Sequence, residues 1–470
     1  MSTTNKTENT HSEYTHRLLA RFIIEAKTPL AVGTGQKDIL TDAVVALDVN
    51  GLPYIPGTSL AGVLRSMIDP KKESKLFGYQ KKTGAVKKDE VTGRGSEIIV
   101  SEARILDSKM KVLDGLHIQS ELKKDALLCH YLRPMPVRQH VRISHKGVAE
   151  DGGKFDQQVV YAGTRFCFEV EIISEDDDTK NLNDVIANLR HQSFRIGGGV
   201  HNGFGRIEVV EAKTAVLNLQ KPEDLEAYVS KSSSLADGTF WNGRNEDVND
   251  SKADKGYIHY ELQLQPDDFF MFGSGFGDEN GDADMTTVKA AKVVWKSGTG
   301  KLEVGKVLIP ATSVKGALRH RVAYHYNKLN HLYVNNGATE ADENPAVAGI
   351  FGKAEGNSLK PGHILLEDII DEPAKSKLVN HVSIDRFTGG AIDGALFTEQ
   401  VDYAKERTFK FDVYVEEPAL PEEDHVREAF EKALTDICQG MLPLGGGVNR
   451  GNGIFHGNLL KDGKLIYEYK

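Results

Sequence analysis

The sequence predicts an α+β protein built from two copies of one domain. The segment IPGTSLAGVLR at 55–65 recurs as IPATSVKGALR at 309–319, and GGGVHNGFG at 197–205 recurs as GGGVNRGNG at 445–453. The same landmarks in the same order, roughly 250 residues apart, indicate an internal duplication rather than a solenoid of short repeats. At 470 residues the chain is long enough for two domains, each with its own core.

The predicted elements of each copy follow the order of a ferredoxin-like domain, in which helices cover one face of a sheet. Alternating and β-branched residues predict strands, apolar residues at i, i+3, i+4 and i+7 predict helices, and Thr58 or Ser59 is a predicted N-cap. In the first half the pattern predicts strands at 18–26, 43–48, 52–55, 97–105, 161–173 and 206–210 and helices at 60–67 and 182–192. In the second half it predicts strands at 257–265, 289–295, 304–309, 363–370 and 406–415 and helices at 312–326 and 422–439.

The duplication also sets the expected domain bounds. We expect a disordered tail at 1–17, a first domain at 18–230, an acidic linker at 231–255 and a second domain at 256–470. Two polar, glycine-bearing excursions, 137–162 and 378–401, predict hairpins that project from the two domains.

The composition is typical of a soluble protein in a reducing compartment. The sequence has no long apolar run, so we expect neither a membrane span nor a signal peptide. Its three cysteines are scattered along the chain. We therefore expect a cytoplasmic protein without disulfides or a zinc site. The net charge of −10 argues only weakly against a nucleic-acid partner, because basic residues are concentrated at 104–146 and 286–328.

Each half ends in a glycine-rich loop between a predicted helix and a predicted strand. Dinucleotide-binding loops have the opposite order, strand then helix, and the sequence has no Walker-type Gly-Lys-Ser/Thr. The loops are either helix C-caps with tight turns or sites where backbone N–H groups hold a nucleic-acid backbone. The residues placed for such a contact are Gly198, Gly199, His201 and Asn202 in the first half and Gly446, Gly447, Asn449 and Arg450 in the second.

The two Pro-Gly/Ala-Thr-Ser helix starts are candidate anion sites, because a helix N-terminus presents unpaired N–H groups. A capped helix that only packs through its apolar stripe explains the same spacing. Basic residues on or beside the first turns favour contact with phosphate. The candidates are Thr58, Ser59 and Arg65 in the first half and Thr312, Ser313, Lys315 and Arg319 in the second.

These landmarks resemble those of the RAMP superfamily of CRISPR-associated proteins, and more narrowly the repeating backbone subunits of type III effector complexes. The resemblance rests on a glycine loop at Gly33, the segments LPYIPGTSLAGVLR and LFG, and the closing GGGVxxGxG, and it covers 18–210 and 257–460. It implies RRM-like folds along a guide RNA (crRNA), a thumb hairpin that displaces bases, and Cas7-like, Cas5-like, Cas10 and Cas11-like partner subunits. A fused pair of such domains resembles the double backbone subunit of type III-D complexes.

The resemblance assigns a cleavage role to Asp42. In cleaving members an aspartate precedes the strand that leads into the LPxIPG segment; Asp42 stands there, and Asp38 is an alternative in the same loop. Such a carboxylate holds a divalent cation, Mg²⁺ or Mn²⁺, or acts near a 2′-hydroxyl. Without the resemblance, a carboxylate that only caps a turn is the favoured interpretation.

The second half departs from this pattern. When the valine pair at 293–294 is aligned on the pair at 44–45, Ala291 stands in the place of Asp42. Either the acid comes from the longer preceding loop, or this half binds RNA without cutting it, and we expect a weakened or absent site. The candidates in that loop are Asp282 and Asp284.

The predicted hairpins carry basic and aromatic residues of the kinds that stack on bases or wedge between them. The candidates are Arg138 and Arg142 in the first hairpin and Arg386 and Phe387 in the second. The alternative is a solvated surface hairpin without RNA contacts.

Three functions are compatible with these observations. The first is a guide-RNA-binding backbone subunit that cleaves target single-stranded RNA by metal-dependent endoribonuclease chemistry, with the first domain favoured as the cutting one. The second is a non-catalytic crRNA-binding backbone. The third is a standalone crRNA-processing endoribonuclease, whose histidine base would be His140 or His381.

Overall fold

The computed structural model describes residues 14–35, 41–80, 93–144, 147–244, 256–278, 280–355 and 358–469. Most of the predicted tail, the candidate Asp38 and the end of the predicted linker at 245–255 lie outside these ranges. Within the described ranges, no helix is long and apolar enough to cross a membrane.

Domain one contains the first nine strands and six α-helices of the described chain. The strands are β1 (His16–Ala26), β2 (Tyr79–Gln80), β3 (Gly93–Arg94), β4 (Ile98–Val100), β5 (Arg104–Ile105), β6 (Val137–Ile143), β7 (Ala149–Gln158), β8 (Arg165–Ser174) and β9 (Ile207–Asn218). The helices are α1 (Gly57–Met67), α2 (Pro70–Leu76), α3 (Gln119–Leu122), α4 (Leu128–Tyr131), α5 (Lys180–Arg190) and α6 (Pro222–Ser230).

Domain two follows the same plan. Its helices are α7 (Ala311–Leu329), α8 (Pro345–Phe351) and α9 (Val426–Cys438). Its strands are β10 (Tyr257–Pro266), β11 (Phe269–Phe270), β12 (Lys289–Lys296), β13 (Thr299–Ile309), β14 (Lys353–Glu355), β15 (Ser358–Lys360), β16 (Ile364–Leu366), β17 (Ile369–Asp371), β18 (Lys375–Ile384), β19 (Ala391–Tyr403), β20 (Phe409–Glu416), β21 (Phe455–Lys461) and β22 (Lys464–Tyr467).

The first strand of each domain lies in the middle of its sheet. In domain one the order is β4-β8-β1-β9, and in domain two it is β16-β20-β10-β21 with β22 at the edge. All of these neighbours pair antiparallel. Counted one to four in chain order, the shared strands lie in the order 2-3-1-4, which confirms the predicted ferredoxin-like fold.

Helices α5 and α9 each bury one apolar stripe, as their spacing predicts. Helix α5 buries Leu182, Val185, Ile186 and Leu189, at i, i+3, i+4 and i+7. Helix α9 buries Phe430, Ala433, Leu434 and Ile437 with the same spacing. On the sheet side of domain one, the rings of Phe22 and Phe168 stack with centroids 5.1 Å apart. Each domain therefore has its own helix-on-sheet core.

Several predicted segments differ from the structure. Residues 43–48 and 52–55, predicted as strands, form only isolated bridges, and the predicted strand at 363–370 is divided into β16 and β17. The predicted strand at 97–105 is interrupted between β4 and β5, because the chain leaves β8 to pair with Ile55, whose carbonyl accepts from Ala103 N at 2.8 Å. Within the predicted linker, Leu235 and Trp241 are buried against domain one. The Trp241 indole donates to the Glu169 carboxylate at 2.7 Å, so at least this part of the segment is packed domain structure.

Strands β12 and β13 form a hairpin, here called the arm, that reaches from domain two into domain one. Val293 and Leu302 on the arm belong to the core of domain one and are 1% and 8% exposed. Val293 N donates to the Ala162 carbonyl at 2.8 Å, and the Trp295 indole donates to the Gly163 carbonyl at 2.7 Å. The two domains therefore share part of a core.

Ion pairs add to the arm in the contact between the domains, here called the joint. Arg195 and Arg206 of domain one each lie 2.6 Å from the carboxylate of Glu367 in domain two. Arg138 and Arg142, on the β6–β7 hairpin, pair with domain-two carboxylates: Arg138 with Asp368 at 3.1 Å and Arg142 with Asp342 at 2.9 Å. Four cations of domain one thus face three carboxylates of domain two.

Candidate nucleic-acid interface

The two glycine-rich loops have the same backbone geometry. Each forms one 3-10 turn, Val200–Asn202 or Val448–Arg450, between glycines in the left-handed region. The Gly198 amide donates to the Ala31 carbonyl at 2.8 Å, and the Gly446 amide donates to the Met271 carbonyl at 2.7 Å. These two amides hold the loop against the segment after the first strand, so they are not free for a phosphate.

The first loop lies in the joint. The His201 ring Nδ1 is 3.3 Å from the Ile364 carbonyl, and Lys315 Nζ donates to the His201 carbonyl at 3.0 Å. Burial lowers the pKa of His201, and burial together with Arg319 lowers the pKa of Lys315 to about 8. His201 of domain one and Lys315 of domain two were both predicted to contact RNA, and each contacts the other domain instead.

Among the described residues, no second domain of this chain covers the second loop. Its side chains contact domain two itself. Asn449 is exposed. The Arg450 guanidinium pairs with Glu399 at 2.5 Å and lies 5.6 Å from the centre of the Phe397 ring. Because Glu399 is 3% exposed, this pair anchors the loop to the base of the β18–β19 hairpin.

The helix starts differ from the prediction at their caps. The N-cap residues are Pro56 and Pro310, and no side chain caps either helix through its N-cap residue, so the predicted Thr58 or Ser59 cap is wrong. In domain two the Ala311 amide donates to the Asp368 carboxylate at 2.9 Å. Asp368 is buried, which raises its pKa, and it occupies the position at α7 that was predicted for an anion.

The remaining helix candidates are partly engaged as well. Thr58 is exposed, while Ser59, Thr312 and Ser313 are half-buried. Arg65 pairs with Glu73 at 2.7 Å within domain one. Arg319 pairs with the same Asp342 carboxylate that Arg142 reaches across the joint. Of the two helix starts, α1 therefore keeps an exposed hydroxyl at its first turn and α7 does not.

Asp42 lies at the base of the first hairpin. Its backbone N donates to Asp156 Oδ1 at 3.0 Å, and its Oδ2 accepts from Asp156 N at 3.2 Å. The side chain is otherwise exposed. These two hydrogen bonds hold Asp42 against strand β7 at the point where the hairpin leaves the domain. No sequence pattern pointed to its partner, Asp156.

Asp284 occupies the equivalent position in domain two. Its backbone N donates to the Thr398 carbonyl at 2.8 Å, and its Oδ2 accepts from Thr398 N at 2.7 Å. The preceding loop is anchored alike in both domains, by a bridge from Gly33 to Val45 and one from Gly273 to Thr287.

The alignment that placed Ala291 opposite Asp42 is therefore wrong. Ala291 lies on the arm and packs against the core of domain one. The structural equivalent of Asp42 is Asp284, which lies in the preceding loop as the first alternative assumed. Asp282 is exposed two residues earlier in that loop.

The carboxylates at the two hairpin bases could supply only part of the ligands of a divalent cation. Asp42 has Asp156 beside it, whereas Asp284 has Thr398 in that place. In the described part of the chain, no group of three or more His, Cys, Asp or Glu residues is arranged to hold a metal ion. Mg²⁺ is commonly bound by one or two carboxylates together with substrate phosphates and water, and the donors present match that pattern.

Each hairpin base also stacks a histidine on a phenylalanine. His140 lies on Phe155 with centroids 4.8 Å apart, and His381 lies on Phe397 at the same distance. Burial, with Arg138 nearby, lowers the pKa of His140 to about 4. His381 Nε2 lies 3.0 Å from the Glu399 carboxylate. His140 is buried and His381 is held by Glu399, so neither ring is free as a general base for a standalone ribonuclease would be.

The two hairpins differ in what their basic and aromatic side chains reach. Arg138 and Arg142 of the first hairpin are engaged in the joint rather than free for bases. At the second tip, Phe387 is 89% exposed and the Arg386 guanidinium lies 5.6 Å from its ring centre. The second tip therefore presents a free aromatic and cationic pair.

Comparison with known proteins agrees with this architecture. The fold and the repeated landmarks define a tandem of ferredoxin-like domains, and a family model described as the RAMP superfamily matches residues 23–208 and 295–456. The chain belongs to the RAMP superfamily and carries its domain twice. It is similar to the CRISPR system Cms endoribonuclease Csm3 of Methanothermobacter thermautotrophicus, with 23% identity over 195 residues, which cover 40% of this chain and 78% of that protein.

Proposed function

We propose that the chain is a guide-RNA-binding backbone subunit of a type III CRISPR ribonucleoprotein that cleaves the target single-stranded RNA at two places. Membership of the RAMP superfamily and similarity to an endoribonuclease named Csm3 support the RNA-binding part. The partners of such a subunit are the crRNA, the target RNA, and the Cas7-like, Cas5-like, Cas10 and Cas11-like subunits of the complex.

One observation carries the two-site proposal. At the bases of equivalent hairpins, Asp42 and Asp284 each accept through Oδ2 from a backbone N–H of the returning strand, and both residues are exposed. A base-displacing hairpin distorts the RNA strand beside it, and a carboxylate at its root is near the distorted phosphodiester. The second domain therefore keeps a cutting residue, contrary to the weakened site that the sequence favoured.

The chain's own residues have limited roles in the proposed reaction. Asp42 or Asp284 orients and accepts a proton from the attacking 2′-hydroxyl, or holds a divalent cation against the scissile phosphate. A bound Mg²⁺ or Mn²⁺ would neutralise negative charge developing on that phosphate. Asp156 would be a second cation ligand in domain one, and domain two would rely on Asp284 alone.

The residues available to contact RNA are those that are not engaged in the joint. Phe387 and Arg386 are available to stack on a base, and Asn449 and Thr58 face solvent. Residues such as His201 and Lys315 hold the joint, so we expect their effect on RNA binding to be indirect.

The test is cleavage of a matched target by the reconstituted complex with Mg²⁺. Asp42→Asn keeps an oxygen to accept from Asp156 N but removes the charge, so we expect one cut to slow by about 10²–10⁴-fold while the other persists. Asp284→Asn should remove the other cut. Fragment lengths on a sequencing gel assign each cut to its domain.

Asp282→Asn is the matched control, since it removes a charge from the same loop two residues from Asp284. It should leave both cuts intact. If both cuts persist in the Asp42→Asn/Asp284→Asn double variant, the catalytic assignment is wrong. If the wild-type complex binds guide and target but yields no fragments, the chain is a non-catalytic backbone.

A further inference from the structure

A cleft of about 700 Å³ lies between the arm and domain one. Domain one contributes Glu25 and Arg165, and Glu25 lies on the face of the first sheet opposite the helices, because its neighbour Ile24 belongs to the core. Domain two contributes Lys292 from the arm and Asp371 from β17. The volume is in the range of small-molecule sites, and a ligand bound in this cleft would contact both domains.

Four basic side chains line this cleft, and three of them are paired with carboxylates. The pairs are Lys27 with Glu208 at 2.6 Å, Arg165 with Glu25 at 2.9 Å, and Lys306 with Glu372 at 2.7 Å. The fourth basic side chain is Lys292. Within the described ranges, no carboxylate lies at salt-bridge distance from its Nζ, and no other side chain forms a hydrogen bond with it.

Lys292 lies in surroundings that disfavour an unpaired charge. It is half-buried, and burial, together with the nearby Lys27, lowers its pKa. The charge of Lys306 also opposes its protonation, while the charges of Glu25 and Asp371 favour it from beyond pairing distance. Since buried charges in proteins are usually paired, this position lacks a partner that a bound anion would supply.

We propose that the cleft binds a small molecule with a single oxyanion group, a phosphate or a carboxylate, that accepts a hydrogen bond from Lys292 Nζ. An oxyanion at this point pairs the free lysine and offsets its repulsion from Lys27 and Lys306. Because these lysines come from both domains, the bound molecule also stabilises the joint. The site is separate from the residues proposed for RNA cleavage and does not depend on them.

The lining also restricts the molecule that carries the oxyanion. Trp295 is the one aromatic side chain in the described lining. The Arg165 guanidinium lies 4.4 Å from its ring centre, and the ring packs on Gly300, where an added Cβ would lie 2.7 Å from it. With these contacts the ring is not free to stack on a nucleobase. The carboxylates of Glu208 and Glu372 repel a chain of phosphates, which favours a small oxyanion over the backbone of RNA.

The first test is isothermal titration calorimetry of the full wild-type chain with inorganic phosphate at constant ionic strength. We expect saturable binding of one phosphate per chain, with a Kd on the order of 1 mM. Acetate titrated in the same buffer distinguishes the two sources of the oxyanion, because the anion that binds more tightly identifies the group that the cleft prefers. If neither anion shows saturable one-to-one binding, the proposal is wrong.

Lys292→Gln tests the residue that carries the proposal. It should weaken phosphate binding at least about 10-fold, because it removes a charge-assisted hydrogen bond. Lys301→Gln is the matched control, since it removes an exposed lysine from the same arm, and it should leave the affinity unchanged. If the two variants lose affinity equally, the overall charge of the arm attracts phosphate and the cleft is not a site.

Glu208→Gln should change the affinity in the opposite direction. Glu208 pairs with Lys27 and its side chain is 57% exposed. The substitution removes a negative charge from the cleft and releases Lys27, so phosphate should bind about 3-fold more tightly. A gain in affinity cannot come from a misfolded variant, so this measurement separates a lost site from a lost fold. Unchanged or weaker binding would contradict the proposed position of the oxyanion.

A competition titration separates this site from the RNA path. Single-stranded RNA added to the phosphate-loaded chain should leave phosphate binding unchanged. Displacement of phosphate by RNA would assign the cleft to the RNA path and overturn the proposal. Phosphate binding is measured on the chain alone and cleavage on the complex, so this inference and the proposed function can fail separately.

Discussion

Gly163→Ala tests whether the arm holds the two domains together. Gly163 has φ +83°, and the added Cβ would lie 1.9 Å from the Val293 carbonyl oxygen. The backbone fixes the position of the Cβ, and the oxygen belongs to the backbone, so no side-chain rotation relieves the contact. The arm must withdraw from domain one, and Val293 and Leu302 must leave the core that they complete.

The expected cost depends on the side chains that the arm buries. Exposing a buried Val and a buried Leu costs ~1.5–3 kcal/mol each, which gives about 3–6 kcal/mol for the pair. A non-glycine residue in the left-handed region adds ~1–2 kcal/mol. The total is a large share of the ~5–15 kcal/mol by which a domain is stable.

The assay is urea unfolding monitored by tryptophan fluorescence, because Trp295 lies on the arm and reports its environment. Gly115→Ala is the matched control, because Gly115 has φ +82° and nothing lies within 4 Å of its added Cβ. Both variants carry the conformational cost, and only Gly163→Ala disturbs the arm. If the two variants lose the same free energy of unfolding, the arm does not hold the domains together.

Two further predictions concern protons and metal. His140 has a pKa of about 4 in the folded chain, below its ordinary value near 6.5, so the unfolded chain binds the proton more readily. The stabilisation should be fully present above pH 6.5 and should decline as the pH falls towards 4. His140→Phe keeps a ring on Phe155 and removes the titrating group, so the melting temperature of this variant should fall less steeply over that range. If the melting temperatures of the wild type and the variant fall equally with pH, the assignment to His140 is wrong. Removing divalent cations with EDTA should stop both cuts in the complex while leaving guide binding unchanged in a gel-shift assay, and cleavage that continues in EDTA would exclude a metal requirement.

The duplication and the order of helices and strands along the chain were predictable because both depend on local sequence. The apolar spacing at 182–189 and 430–437 fixes two helices, and the repeated glycine segments fix the ends of the two sheets. The position equivalent to Asp42 was not predictable from the valine pairs. The arm inserts extra residues after Thr287, so aligning its valines on 44–45 shifted the comparison away from Asp284.

The RNA-contact candidates show a second limit of sequence reasoning. Residue type gives the charge of Arg138, Arg142 and Lys315 but not what each charge meets. Their partners lie more than 100 residues away along the chain, in the other domain. The carboxylates that bind the two arginines, Asp368 and Asp342, stand in segments without a recognisable motif. Lys315 donates to a backbone carbonyl, which residue type cannot reveal, so the joint could be seen only in the three-dimensional structure.

The arm also orders events during synthesis. Domain one lacks two of its buried apolar side chains until residues 289–309 have left the ribosome. An N-terminal domain usually folds as it emerges, before the domains behind it have been translated. Here the first half must wait, partly open, for a segment translated well after its own last strand, and a nascent chain stalled before the arm would expose the cavity that Val293 and Leu302 fill.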